Sequence, residues 1–188
     1  MNSDALKSIK IENSALVVWD VQNMLVNNIF NKAEFTERLS ALIEHARRIN
    51  IPIFFTKITP LPERFESNAR KLAFKGGFSN PSRDGFELFF SPKESEIVIS
   101  KHTASIFIGT PFELMLNNAG IKNILLTGIA TEIGVESSAR DALNRGFMPI
   151  IVRDCVSSGD REAHERSLKN MDKLMLITDL NELIKATK

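Results

Sequence analysis

The sequence predicts a doubly wound α/β domain, in which two helical layers enclose a mainly parallel sheet of six strands (three-layer α/β/α). Six short apolar runs alternate with segments of helical spacing. Unbroken apolar runs are typical of strands buried on both faces of a parallel sheet. Right-handed crossovers between such strands place helices on both faces. At 188 residues, the chain is predicted to form one domain over residues 1–188.

Each predicted strand is a short run of aliphatic, β-branched or aromatic residues. The runs are 15–19, 51–56, 97–99, 124–126, 148–152 and 174–177. In doubly wound sheets, ligands bind beyond the carboxyl ends of the strands. The polar residues near those ends are therefore the first functional candidates: Asp20, Lys57, Lys101, Thr131 and Asp154.

Helices are predicted between the strands. Apolar residues with spacings of three and four place one helix over 35–49. Thr110 and Glu113 predict a capping box for a helix that ends at Gly120. Further helices are predicted from 131 to about 145, within 159–171, and after Asp179. Residues 58–95 contain a Gly76-Gly77 pair and four prolines, and we interpret them as an insertion over the site.

Composition excludes several classes of protein. The net charge of +1 argues against nucleic-acid binding by general electrostatics. No apolar stretch is long enough for a membrane span, and we expect a cytoplasmic protein. One cysteine and three histidines make a metal site hard to build. Neither a G-x-G-x-x-G fingerprint nor a P-loop is present, so we expect no cofactor and no metal.

Asp20 and Lys101 are the leading catalytic candidates because each ends a predicted strand. A carboxylate there can act as a general acid or base. A lysine beside it can hold the carboxylate ionised or stabilise a developing anion. The segment after the fourth strand, 128–142, starts a helix whose first amide groups can hold negative charge.

Three motifs together resemble the isochorismatase-like (cysteine hydrolase) superfamily. They are Asp20-Val21-Gln22, the run from Lys101 to Phe107 with Gly109-Thr110 and Glu113, and the segment Gly128–Ala142. The family patterns are approximately D-x-Q, K-x-x-x-S-x-F-x-G-T-x-L-E and G-x-x-T-x-x-C-V-x-x-T-A-R-D-A. The resemblance covers residues 14–157 and implies the same Rossmann-like doubly wound fold.

The resemblance implies that Asp20 is the acid/base and Lys101 its partner. The nucleophilic cysteine of the family falls at Gly134, which keeps only a backbone role. This departure argues against reactions that need an acyl-enzyme, such as amide hydrolysis by nicotinamidases. It resembles two branches: true isochorismatases, in which the aspartic acid protonates a vinyl ether, and short hydrolase-like proteins with Thr-x-x-Gly-Val-Glu-Ser. The family often has a cis peptide where Ile129–Ala130 lies here.

Further residues are expected around the substrate. They are Gln22, His102, Phe107, Ala130, Thr131 and Ile133. Cys155 follows the fifth predicted strand, but it does not fall at the nucleophile position, and buried cysteine usually acts as a small apolar residue.

Two functions from different classes remain open. The first is hydrolysis of an unidentified small molecule by acid/base chemistry with Asp20 and Lys101, without a cysteine nucleophile. The alternative is a catalytically degenerate member that binds or regulates through a small molecule. A paired, dry Asp20–Lys101 would favour the hydrolase, since a degenerate site has no reason to keep such a costly pair. A third interpretation is a scaffold whose interface matters more than its pocket.

The expected partners are a small-molecule substrate and further copies of the chain, because family members generally form homodimers or homotetramers.

Overall fold

The fold is a three-layer α/β/α arrangement around one parallel six-stranded sheet, as predicted. The computed structural model describes Leu6, residues 9–75 and residues 83–187. The strand order in these residues is β3-β2-β1-β4-β5-β6. The strands are β1 (Ser14–Trp19), β2 (Ile53–Ile58), β3 (Ile97–Lys101), β4 (Asn123–Ile129), β5 (Met148–Ser157) and β6 (Leu176–Thr178).

Helices cover both faces of the sheet. They are α1 (Asn23–Val26), α2 (Lys32–Arg48), α3 (Asn68–Lys75), α4 (Phe112–Asn118), α5 (Glu136–Asn144), α6 (Arg161–Met171) and α7 (Leu180–Ala186). Apolar residues of α2 and α7 form a buried cluster with one face of the sheet. Residues of α4, α5 and α6 form a second cluster on the opposite face. The two clusters are the two halves of the core.

Strand β1 lies at the centre of the sheet and supplies both clusters. Leu16 and Val18 face α2, whereas Ala15, Val17 and Trp19 face α4 and α5. This division follows from the two-residue period of a strand. The neighbours of β1 are β2 and β4, so the strand order reverses between β1 and β4. That reversal point is where doubly wound folds bind ligands.

The boundary of β5 differs from the prediction. We expected a strand ending at 152, but the strand continues to Ser157. The prediction stopped too early because polar residues inside the strand interrupt the apolar run. Arg153 is exposed and Asp154 is half-buried, while Cys155 is fully buried. Cys155 therefore packs within the α2 side of the core, and the expectation that it follows the strand is wrong.

Two helix starts also differ. The helix expected from Thr131 begins as a π-helical turn over Thr131–Val135 before α5. The capping box at α4 is wrong, because the Glu113 carboxylate pairs with Arg145. Thr110 still contributes locally, since its hydroxyl accepts a hydrogen bond from the Phe112 N–H at 3.2 Å.

The excursion between β2 and β3 returns to the sheet beside the end of β1. Leu88 forms an antiparallel bridge with Gln22, and the Phe89 N–H donates to the Val21 carbonyl at 2.8 Å. This part of the predicted insertion therefore packs next to the candidate site. Residues 76–82, which include the Gly76-Gly77 pair, lie outside the described residues.

Candidate active site

Asp20 is held in place by the backbone on one side and by β2 on the other. It follows β1 with a φ of 44°, a left-handed conformation that aspartate tolerates better than most residues. The Thr56 hydroxyl donates to Asp20 Oδ1 at 2.6 Å and accepts from the Asp20 N–H at 2.9 Å. Asp20 is only 4% exposed. Both bonds fix the direction of its carboxylate.

Lys101 pairs with this carboxylate from the end of β3. Its Nζ lies 2.5 Å from Asp20 Oδ2 and 3.2 Å from the Thr103 carbonyl oxygen. Lys101 is 1% exposed, so the ion pair is almost entirely removed from water. Two charges are costly to bury, and removing either partner leaves the other uncompensated. The Asp20 carboxylate therefore lies against a cation in an environment that is almost closed to solvent.

Trp19 also contacts this ion pair. Lys101 Nζ lies 3.8 Å from the centroid of the indole ring, within the range of a cation–π contact. The edge of the same ring lies against Gly134. A Cβ at Gly134 would lie 1.9 Å from Trp19 Nε1 and 2.2 Å from Cε2. Glycine at 134 is therefore required by the indole, and the space for a side chain there is already filled.

Gly128 is constrained by the same residue through its backbone. It pairs with Trp19 in the β1–β4 register and has a φ of 113°. A Cβ there would lie 2.0 Å from the Trp19 carbonyl oxygen. The two glycines that flank the end of β4 thus fit closely around Trp19.

The turn after β4 is closed by its own hydrogen bonds. The Ile129–Ala130 peptide is cis. The Ala130 carbonyl accepts from the N–H groups of Ile133, Gly134 and Val135 at 3.1–3.3 Å. We expected amides at this turn to be free to hold an anion. That expectation is wrong for the Gly134 amide, whose N–H is directed at the Ala130 carbonyl.

Thr131 is anchored behind this turn rather than exposed to a ligand. Its hydroxyl donates to the Ser157 carbonyl at 3.1 Å and lies 2.8 Å from His164 Nδ1. Because the hydroxyl proton is used on Ser157, Nδ1 of His164 carries the proton that bridges to Thr131. Burial lowers the pKa of His164, which keeps the imidazole neutral. Thr131 thus links β4, β5 and α6.

Glu132 joins the same region through Ser158. The Ser158 hydroxyl donates to Glu132 Oε1 at 2.8 Å. Within the described part of the chain, Oε2 of this glutamate is the one enclosed side-chain polar atom that lacks a hydrogen-bond partner. Such an atom is commonly satisfied by an internal water.

Several residues predicted to line the pocket have other positions. Gln22 is buried and acts as a clamp: its Nε2 donates to the Phe86 carbonyl at 2.8 Å, and its Oε1 accepts from the Ile58 N–H at 2.9 Å. Phe107 packs edge-on against Phe112 within the core. These contacts correct the expectation that Gln22 and Phe107 face the substrate.

The remaining predicted residues lie nearer the surface. His102 is partly buried, with Nδ1 2.6 Å from the Thr59 carbonyl oxygen. Ile133 is 57% exposed, and Ala130 is partly buried. Burial raises the pKa of the Cys155 thiol well above its usual range, so this thiol is poorly suited to be a nucleophile.

Two residues of the site were not among the predicted site residues. Thr56 lies inside an apolar strand, and Trp19 has the sequence appearance of a core residue. Thr56 could have been found from its position near the end of the second predicted strand, one residue before the candidate Lys57. Nothing in the sequence pattern shows that Trp19 reaches both Lys101 and Gly134.

The described residues contain neither a candidate metal cluster nor a candidate membrane-spanning helix. Among residues 9–75 and 83–187, no cluster of three or more histidine, cysteine or acidic residues could hold a metal ion. No helix in the same ranges has the length and apolar character that a membrane crossing requires.

Comparisons with known proteins place this chain in one family. The Isochorismatase domain matches residues 14–182. The isochorismatase family protein YwoC of Bacillus subtilis (strain 168) is 29% identical over 170 residues, which cover 86% of this chain and 87% of that protein. Maleamate amidohydrolase of Pseudomonas putida KT2440 is 35% identical over 82 residues, which cover 44% of this chain and 38% of that enzyme.

A solved structure shows the same fold at lower identity. A cysteine hydrolase from Pseudomonas syringae pv. phaseolicola 1448A aligns with a TM-score of 0.86 and 16% identity, over 95% of this chain and 94% of that one. The resemblance first seen in three motifs thus extends over most of the chain. The protein belongs to the isochorismatase family.

Proposed function

We propose that this protein is a hydrolase of a small molecule in which Asp20 transfers the proton and water is the nucleophile. The observation that carries the proposal is the buried Asp20–Lys101 pair, with 2.5 Å between Nζ and Oδ2. A protein without chemistry at this site would gain little from burying the pair. The packing of Trp19 against Gly134 leaves no room for a thiol at this position.

The contacts of Asp20 support a role as proton acceptor first. Thr56 and Lys101 each donate to one of its oxygens, which stabilises the ionised form. Each carboxylate oxygen has a second lone pair, so Asp20 can accept one more proton. In the proposed step on a vinyl ether, Asp20 first takes up a proton from solvent and gives it to the methylene carbon of the double bond. A water molecule then bonds to the adjacent ether carbon and returns one proton to Asp20. The resulting hemiketal releases its alcohol and leaves a ketone.

Lys101 serves as the partner of Asp20 rather than as a direct anion binder. Its ammonium is already directed at Asp20, the Thr103 carbonyl and the Trp19 ring. Positioned charges of this kind stabilise the charge that develops during proton transfer. We therefore assign Lys101 to holding Asp20 in its reactive direction and charge state.

A second candidate function is small-molecule binding without turnover. The observation that favours it is the internal bonding of the Gly134 and Ile133 amides to the Ala130 carbonyl. Those amides would otherwise be natural donors for a developing oxyanion. A binding protein has no need of such donors.

Substrate turnover by matched variants distinguishes the two candidates. The substrates are isochorismate, as a vinyl ether, and maleamate, as an amide, each followed by mass spectrometry. The vinyl ether is expected to be hydrolysed and the amide left intact, because amide hydrolysis usually depends on a nucleophile or metal. Asp20→Asn keeps the shape of the side chain and is expected to lower kcat/KM by about 10²–10⁴-fold.

A surface variant provides the control for charge removal. Arg140→Met breaks the exposed pair with Glu136 and is expected to leave turnover unchanged. Turnover that survives Asp20→Asn would contradict the proposal. Saturable binding with no turnover in either protein would favour the second candidate.

A further inference from the structure

Trp19 is the only tryptophan of the chain, and it lies where the candidate site meets the core. It ends β1 and directly precedes Asp20. Its side chain is 1% exposed and faces the α4–α5 side of the sheet. A large aromatic residue in this position would ordinarily be assigned to packing alone.

The two surfaces of its ring contact two parts of the site. Lys101 Nζ lies over the ring at 3.8 Å from the centroid. The pyrrole edge that carries Nε1 lies against Gly134, as shown by the 1.9 Å that would separate Nε1 from a Cβ there. The indole therefore fills the space between the Lys101 ammonium and the turn after β4.

The polar atom of this ring is not used by the fold. Trp19 Nε1 takes part in none of the hydrogen bonds found among the described residues, although buried tryptophan N–H groups usually find an acceptor. In the described ranges, Glu132 Oε2 is the one fully enclosed side-chain polar atom without a hydrogen-bond partner. Nε1 is therefore not fully enclosed. Its N–H thus retains a small accessible surface.

We propose that the Trp19 N–H donates a hydrogen bond to the bound substrate and selects molecules with a neutral oxygen acceptor at that point. The inference rests on the proposed function, in that it takes the Asp20 site as the place where substrate binds. Asp20 and Lys101 compensate each other's charge, so this pair supplies no net charge to attract an anion. A carbonyl or ether oxygen is also less costly to desolvate than a carboxylate.

This assignment makes Trp19 a specificity-determining residue. Its ring orients the Lys101 side chain, while its N–H donates a hydrogen bond to the substrate. A site with a buried donor rejects analogues that lack the matching acceptor, because the donor is then left without a partner. Hydrocarbon analogues should therefore bind poorly.

Replacement of the single N–H tests the proposal with little change of shape. In a tryptophan-auxotrophic host, 3-benzothienylalanine can replace Trp19 alone, because the chain has no other tryptophan. The sulfur analogue keeps the fused ring and lacks the N–H donor. Unfolding curves of both proteins establish that the replacement preserves the fold.

The ligand probe is acetamide, a neutral carbonyl compound, with acetate as the anionic comparison, each titrated to tens of millimolar. In the ¹⁵N-labelled protein, the one indole N–H resonance is expected to shift saturably with acetamide and less with acetate. Backbone resonances near Gly134 follow binding to the benzothienyl protein, which should bind acetamide about three- to tenfold more weakly.

Each outcome decides the inference separately from the proposed function. An indole resonance that stays fixed throughout the acetamide titration, or equal affinity of the two proteins, would overturn it. A stronger response to acetate would overturn the preference for a neutral oxygen. If the indole responds as expected but no substrate is turned over, the proposed function fails while the binding role of Trp19 stands.

Discussion

Gly134→Ala should destabilise the protein because of the contact between Gly134 and Trp19. The new Cβ would lie 1.9 Å from Nε1, whereas ordinary contacts begin at 3.4 Å, so the overlap is about 1.5 Å. The indole cannot move aside easily, since it is 1% exposed and packed against Lys101. Overpacking of this kind costs about 1–3 kcal/mol, and a rigid neighbour places the expected loss at ~3 kcal/mol.

Thermal and urea-induced unfolding measure this loss. For a chain of this size, ~3 kcal/mol corresponds to a decrease in Tm of about 6–12 °C. Gly146→Ala is the matched control, because no atom lies within 4 Å of its Cβ and its cost comes only from a φ of 82°. That backbone cost is about 1–2 kcal/mol.

A double-mutant cycle shows whether the indole is the cause. Trp19→Leu removes the atoms that meet the new Cβ, so Gly134→Ala should cost about 2 kcal/mol less in that background. The cost of Gly146→Ala should be the same in both backgrounds. An additive cycle for Gly134, or a loss below that of Gly146→Ala, would refute the steric argument.

Three further predictions concern the groups that surround the ion pair. Thr56→Val removes both hydrogen bonds to Asp20 and should lower kcat/KM about tenfold or more, whereas Thr56→Ser should retain most activity in the same assay. Lys101→Met leaves the Asp20 charge buried and should cost about 3–5 kcal/mol of unfolding free energy, against less than about 1 kcal/mol for Arg140→Met. Because the pKa of His164 is lowered in the folded state, the unfolded state binds more protons just below about pH 6.5, and stability should fall as pH decreases through that range. Unfolding free energies of His164→Gln at about pH 5 and 7.5 should show a smaller pH dependence; an unchanged dependence would exclude His164 as its source.

The sheet could be predicted from the sequence because its signals are local. Unbroken apolar runs mark strands that are buried on both faces, and such runs are found in β1 and β4. The end of β5 could not be predicted in the same way. Arg153 is exposed and Asp154 half-buried, so the apolar run stops before the strand does.

The ion pair was predictable from topology. The carboxyl ends of parallel strands lie at one edge of a sheet, so Asp20 after β1 and Lys101 at the end of β3 are brought to the same edge. Gln22 lies at that edge too, and the sequence cannot distinguish a ligand from a clamp there. Its role is decided by the path of the excursion, whose backbone passes within 2.8 Å of its amide.

The contact between Trp19 and Gly134 was out of reach for a different reason. It depends on the ring orientation of one residue and on the π-helical turn that carries the other. Neither has a sequence period, so a glycine there could be interpreted only as permitting close approach.

A cysteine-free protein gives the most direct test of hydrolysis without a thiol. Cys155 is the only cysteine, so Cys155→Ala removes every thiol from the chain. On a substrate that the protein hydrolyses, the kcat/KM of Cys155→Ala should stay within about threefold of the value for the unsubstituted protein. Asp20→Asn should lower kcat/KM by about 10²–10⁴-fold. Loss of turnover in well-folded Cys155→Ala, with turnover retained in Asp20→Asn, would contradict the account.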